Sequence, residues 1–253
     1  MEKIHLLLLL SGLFALSGAI RYLKLFQINK TWIQARAYCR ENCIDLATVE
    51  DMEKMQTLLN EYKFSFVWIG LRSGKSLNWH WSLAQKDSFK GEMDDLIQRD
   101  ETGGDCGTYK NGKFTASECT NKFHAVCFDV ICLFSCLEKG PQQYILTPQK
   151  MNWRVAQEHC RRQHTDLASV RNKEENHALQ EVVGDQKVWT GLFRDPWEWS
   201  DGSDSSFRYW KTDMQIYNDP SNKCTALNDD RFYIRACGFK LKFLCTCEKG
   251  TTS

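Results

Sequence analysis

Trp32-Ile33-Gln34-Ala35-Arg36-Ala37-Tyr38-Cys39 is echoed 121 positions later by Trp153-Arg154-Val155-Ala156-Gln157-Glu158-His159-Cys160. In each stretch the Trp, Ala and Cys fall at i, i+3 and i+7, along one face of a helix. Thr31 and Asn152 stand just before them, where a side-chain oxygen can cap the first backbone amides. Working outward, the same offset carries Asp45, Leu46, Trp68, Gly70 and Leu71 onto Asp166, Leu167, Trp189, Gly191 and Leu192. Beyond that the offset becomes 118. It then maps Trp79, Trp81, Phe89, Cys106, Phe114, Cys119 and Cys127 onto Trp197, Trp199, Phe207, Cys224, Phe232, Cys237 and Cys245. The change lies between Leu71 and Trp79, where Arg72-Ser73-Gly74-Lys75-Ser76 reads as a loop. A surface loop is where two copies differ in length at least cost. The chain is therefore read as two copies of one unit, over 20–128 and 143–248. Residues 129–142 form the linker, with a turn at Gly140-Pro141, and 249–253 a polar tail.

Each copy runs in the same coarse order. After the first helix comes a short strand, at Asp45-Leu46 or Asp166-Leu167, then a second helix over 51–62 or 172–183. Short apolar strands follow, among them Phe66-Val67-Trp68-Ile69-Gly70. Helices first and strands after point to an α+β class.

The 253 residues carry 33 basic and 32 acidic side chains, a net charge of +1, so no charge-driven partner such as a nucleic acid is indicated. The start, Met1-Glu2-Lys3-Ile4-His5, then a nearly all-apolar run over 6–16, then Ser17-Gly18-Ala19, has the three parts of a signal peptide cut after Ala19. An apolar run that short does not span a bilayer, which takes about 20 residues. No other run is long enough, so an exported protein without a membrane span is expected. Behind a signal peptide the twelve cysteines read as disulfides. Metal-type spacing is lacking: the nearest candidates, Cys132 with Cys136 and Cys245 with Cys247, have no histidine beside them. Asn29-Lys30-Thr31 is a glycosylation sequon at Asn29.

Taken in order, these residues resemble the C-type-lectin-like domain family, twice over. The family's helix pattern Trp-x-x-Ala-x-x-x-Cys is Trp32, Ala35, Cys39 and Trp153, Ala156, Cys160. Its core strand is Trp68-Ile69-Gly70-Leu71 and Trp189-Thr190-Gly191-Leu192, and its Trp-x-Trp-Ser segment ends at Ser82 and Ser200. The resemblance implies two disulfide-stapled domains, each with two helices, small antiparallel sheets and long loops. It also implies bridges Cys39–Cys127, Cys106–Cys119, Cys160–Cys245 and Cys224–Cys237. Cys43, Cys132, Cys136 and Cys247 remain. Cys43–Cys132 and Cys136–Cys247 are favoured, because Cys43 and Cys132 flank the first implied bridge and domain termini tend to be neighbours. An intermolecular bridge through Cys43, giving a disulfide-linked oligomer, is the rival.

Many members of that family hold sugar through calcium, a hard ion that takes several oxygen ligands. Counted from the cysteines, the family's ligand positions fall on Met214, Ile216, Asn222, Tyr233 and Ile234 in the second copy, with Gln215 inside the loop motif. In the first copy they fall on Leu96, Gln98, Gly104, Thr115 and Ala116. None is a carboxylate, so no cofactor is expected and calcium is unsupported at the motif positions. Acidic residues elsewhere in the loops, Glu92, Asp94, Asp95, Asp100, Glu101 and Asp105, then Asp195, Asp201, Asp204, Asp213 and Asp219, read as solvated surface. A displaced calcium site among them is the alternative. Met214, Gln215, Ile216, Tyr217, Asn222, Tyr233 and Gln98 are the candidate ligand contacts, with an apolar patch at Met214, Ile216 and Tyr217. Catalytic signatures are missing: there is no Gly-x-Ser-x-Gly, His-Glu-x-x-His or GxGxxG. The expectation is a non-enzymatic, defence-type protein that binds an extracellular glycan or glycoprotein. The alternative is a calcium-dependent carbohydrate-binding lectin with a divergent loop site.

Overall fold

A computed structural model describes residues 20–83, 96–98, 103–130, 142–211, 214, 216 and 222–249. The signal segment, Cys132, Cys136, Gln215, Tyr217 and the acidic residues at 92–101, 213 and 219 lie outside them.

The first repeat supplies β1 (Arg21–Lys30), α1 (Trp32–Asn42), β2 (Asp45–Leu46), α2 (Met52–Glu61), β3 (Val67–Trp81), β4 (Ile97–Gln98), β5 (Cys106–Lys110), β6 (Lys113–Ser117) and β7 (His124–Val130). The second supplies β8 (Gln142–Leu146), α3 (Trp153–Gln163), β9 (Asp166–Leu167), α4 (Lys173–Val183), β10 (Val188–Trp199), β11 (Lys223–Asn228), β12 (Arg231–Ala236) and β13 (Leu241–Glu248). The α+β class and the two helices per repeat stand as expected. All four helices start on a capping side chain. Thr31 accepts from the Gln34 amide while Gln34 answers to the Thr31 amide, and Asp51, Asn152 and Asn172 accept from Lys54, Val155 and Glu175. The buried face of α1 is Trp32, Ala35 and Cys39, and that of α3 is Trp153, Ala156 and Cys160.

The repeats do not close on themselves. The segment at 72–76, expected as a loop, is extended and lies inside the 15-residue strand β3. It runs antiparallel to β10, with Trp81 opposite Leu192, Trp79 opposite Arg194 and Leu71 opposite Trp199. Each repeat therefore crosses to the other side at this ladder and completes its fold on the other repeat's first half. β1 pairs antiparallel with β13, Tyr22 opposite Cys247 and Phe26 opposite Phe243. β3 pairs with β11 and β13, Trp68 lying opposite Ala226 and Phe243. The mirror relation holds for the second repeat: β8 pairs with β7, and β10 with β5 and β7, Trp189 lying opposite Thr108 and Ala125.

Two composite units result. One core gathers Val49, Met55, Leu58, Ile69 and Leu71 with Trp197, Trp199, Phe207, Trp210, Leu227 and Phe232. The other gathers Val170, Leu179, Val183, Val188 and Leu192 with Tyr109, Phe114, Val126 and Phe128. Repeated polar contacts hold each unit, and those of Ser200 and Ser82 join its two halves. The Trp32 indole donates to the Ile69 carbonyl at 2.8 Å and Trp153 to Thr190 at 2.7 Å. Ser200 donates to buried Asp45 at 2.8 Å, and Ser82 donates to buried Asp166 at 2.6 Å. Arg40 and Arg161 reach the same carboxylates and the Ser200 and Ser82 carbonyls. A buried carboxylate needs such partners, because ionisation without them costs several kcal/mol, on the order of a full desolvation penalty.

The disulfides follow the exchange. Cys106–Cys119 and Cys224–Cys237 form as the resemblance implies. The two long bridges do not: Cys39 joins Cys245 and Cys127 joins Cys160, in place of Cys39–Cys127 and Cys160–Cys245. Cys43 joins Cys247, which replaces both favoured pairings of the remaining four cysteines. The physical reason is the crossing of β3 and β10, which delivers β13 to α1 and β7 to α3. No helix among the described residues is long and apolar enough to cross a membrane.

Candidate ligand-binding site

The loop region that follows Ser200 is anchored from beneath by one arginine. Arg208, 2% exposed, donates through Nε and Nη2 to Asp195 at 2.8 and 3.3 Å. Its remaining donors reach the carbonyls of Trp197, Ser205 and Phe207 at 2.9, 2.9 and 3.1 Å. Asp195 is wholly buried and also accepts from the Trp197 amide. His80, from the first repeat, brings Nε2 to 3.5 Å from Asp195 Oδ1, too poorly directed to form a hydrogen bond. Burial, then Arg208, lowers the His80 imidazole against the opposing charges of Asp195 and Asp204, to about 4 in all. His80 is thus a neutral ring at physiological pH. His80 and Arg208 line a cleft of about 510 Å³ at the crossing of β3 and β10, together with Asn78, Trp79, Glu198 and Asp204.

Above this anchor the loop is held by aromatic packing. Trp197 and Trp210 lie 4.8 Å apart, and Phe232 is met edge-on by Trp199, Phe207 and Trp210. Arg154 of α3 donates to the carbonyls of Trp210, Lys211 and Met214, so the second repeat's own helix supports the loop from the neighbouring unit. Arg231 lies 3.9 Å from the Tyr209 ring and pairs with Glu158 of α3.

The candidate contacts separate under this geometry. Ile216 is only 6% exposed and belongs to the core with Trp197 and Trp210, while Met214 is half-buried against the same core. Ile216 is therefore a core residue and not part of an exposed apolar patch, while Met214 stays partly exposed. Gln215 and Tyr217 of that set lie outside the described residues. Asn222 is exposed, with φ +54. Tyr233 is half-exposed on β12, edge-on to Phe66 at 5.0 Å, with the Lys211 ammonium at 5.6 Å and the Arg235 guanidinium at 5.8 Å from its ring. Gln98 lies on β4, opposite Thr115. It belongs to the other unit, so the structure does not bring it together with Met214, Asn222 and Tyr233. Asn29 is exposed on β1, within the irregularity between Phe26 and Lys30.

At the positions where the resemblance places calcium ligands, this sequence has no carboxylate. Gly104 has φ +94, and a Cβ there would lie 2.5 Å from backbone atoms of Ser117 and Glu118, so no carboxylate could occupy that place. In the second unit the paired positions are the Tyr233 ring and Ile234, which packs on the core. Among the described acids of these loops, Asp105 pairs with Arg194 at 2.8 Å, Asp195 with Arg208, and Asp201 accepts from the Thr48 hydroxyl at 2.8 Å.

Arg208 escaped the sequence reading, although a base between Phe207 and Tyr209 is an available signal of a buried pair. Arg40 and Arg161 were also missed, yet they recur at the offset of 121 and both meet a repeated aspartate.

Known proteins bear on both repeats. The model of the Lectin C-type domain matches residues 28–128 and 149–247. The secretory phospholipase A2 receptor of Bos taurus is 24% identical over 225 residues, 74% of this chain but only 15% of the receptor. Struthiocalcin-2 of Struthio camelus is 28% identical over 124 residues, 40% of this chain and 85% of that protein. Killer cell lectin-like receptor subfamily B member 1B allele A of Mus musculus is 27% identical over 118 residues, 44% of this chain and 50% of the receptor. With two matched segments that account for most of its length, and the helix, strand and short-bridge geometry to go with them, the chain belongs to the C-type lectin family.

Proposed function

We propose that the protein is an exported recognition protein that binds an extracellular glycan or glycoprotein through its two composite lectin-like units, without the family's calcium-dependent sugar site. The observation that carries this reading is the chemistry of the ligand positions, above all Gly104, which has no room for a side chain, and Tyr233, an aromatic ring flanked by cations where a hard-ion ligand would stand. Polar aromatic surfaces with arginine beside them suit sugar stacking and protein contact alike. The five disulfides among the described residues favour an oxidising compartment, in keeping with the signal read over residues 1–19. No step of catalysis is assigned to any residue. Two units on one chain would raise avidity for a repeated ligand without new contacts.

The test is calcium titration by calorimetry on the mature chain, with thermal melts in calcium and in EDTA, followed by a glycan array read in EDTA. The expected results are no binding heat, superimposable melts and array binding that survives EDTA. A melting temperature raised by calcium, or array binding lost in EDTA, would overturn the reading in favour of a divergent calcium site.

A further inference from the structure

Most contacts across the exchanged halves use residues that both repeats share. Ser82 and Ser200, Asp45 and Asp166, Arg40 and Arg161 would fit equally well if each repeat closed on itself. At two places the repeats differ, and there the two arrangements are not equivalent.

The first place is beside the long bridges. Cys43 is bonded to Cys247. The matched positions are His164 and Asp129, and these face each other with Nδ1 to Oδ2 at 3.1 Å. If the repeats closed on themselves, Cys43 would face Asp129 and His164 would face Cys247. The Cys43–Cys247 bond and the His164–Asp129 pair would both be lost. The second place is at the crossing. Arg194 Nε meets Asp105 Oδ1 at 2.8 Å. The matched positions are Ser73 and Lys223, where the serine hydroxyl satisfies the Lys223 carbonyl and amide at 3.1 and 3.3 Å. Closed repeats would put Arg194 against Lys223, like charges in contact, and leave Asp105 facing a serine. The hinge agrees. Only four residues, 193–196, separate Leu192 from Trp197 in the second repeat, against seven in the first. A short connection favours running straight on over turning back.

We infer that the exchange is specified by the sequence: the Cys43/Cys247 and Arg194/Asp105 pairings, each drawn from both repeats, commit the chain to two composite units that neither repeat can complete alone. The loop region of each unit is consequently carried on the other repeat's helical half, and the two candidate ligand surfaces cannot be separated by cutting the chain at its linker.

Non-reduced peptide mapping of the full chain tests the arrangement. Peptides joining Cys43 to Cys247 and Cys127 to Cys160 are expected. Peptides joining Cys39 to Cys127 and Cys160 to Cys245 would overturn it. Whether the sequence specifies the exchange is read from two variants refolded in a glutathione buffer. Asp129→Cys with Cys247→Asp moves the extra cysteine into the first repeat. It is expected to lose the cross-repeat Cys39–Cys245 peptide by at least about tenfold, in favour of within-repeat bridges. Asp105→Lys with Lys223→Asp changes no thiol and serves if the first variant fails to accumulate. It is expected to make within-repeat peptides appear where the unaltered chain shows none. A wild-type map from whichever variant folds would refute specification by these pairs.

Discussion

Lowering the pH should destabilise this protein through one ring, His80. Its side chain is 18% exposed, its Nε2 makes no hydrogen bond, and its pKa is pushed down to about 4. The unfolded chain would protonate the same imidazole near 6.5. Between those values the unfolded state holds the extra proton, so stability rises with pH there. The contribution is fully present above the unfolded pKa and is lost as the pH falls toward the folded one. Between about pH 7 and pH 5 the loss from this ring alone is about 2 kcal/mol. The assay is urea unfolding at both pH values, with and without His80→Phe. Phenylalanine fits because His80 already stacks beside Phe193 at 5.5 Å and needs no hydrogen-bond partner. The unaltered protein should lose about 2 kcal/mol more than the variant over that interval. Other titrating groups are common to both and cancel in the difference. Equal pH dependence would refute the reasoning and mean that the ring is solvated or pairs with Asp195 when charged.

Arg208→Leu leaves Asp195 buried without its cation and strips three carbonyls of a donor. It should cost about 3 to 5 kcal/mol in chemical denaturation. Cys43→Ser with Cys247→Ser opens a bridge that, once Cys39–Cys245 has formed, closes a ring of only about six residues. The chain-entropy relation gives a loss of about 2 kcal/mol, seen as a lower urea midpoint with the oligomeric state unchanged. Ile216→Asp should lower the melting temperature by burying a charge in the first core, with an expected cost of about 3 kcal/mol. If it left the melt unchanged, Ile216 would be surface after all.

The local design of the fold was open to reading. Spacing of Trp, Ala and Cys located the helices, the capping residues located their starts, and the pair of offsets located the repeats. Local periodicity reports which face of an element is buried, and it holds whichever copy supplies the partner. For that reason the exchange was not legible from the repeated residues, which are the same in both copies. It was legible only from the residues that break the repeat, Cys43 with Cys247 and Arg194 with Asp105, and these invited a reading as leftovers. The burial of Ile216 was not legible for a related cause. Aligned by distance from the cysteines, Ile216 stands at a ligand position. Its burial depends on Trp197 and Trp210 folding beneath it, which no local pattern displays.

The ladder between β3 and β10 has a consequence for how the protein responds to proteolysis. Peptide backbone between the repeats is chemically redundant, since Cys39–Cys245, Cys43–Cys247 and Cys127–Cys160 each tie one repeat to the other. A protease that nicks residues 131–141 would produce two polypeptides that stay threaded and bonded, migrating as one species until a reductant is added. Proteolysis alone would then leave the two composite units joined, and a reductant would remove every covalent tie between the fragments among the described cysteines in a single step.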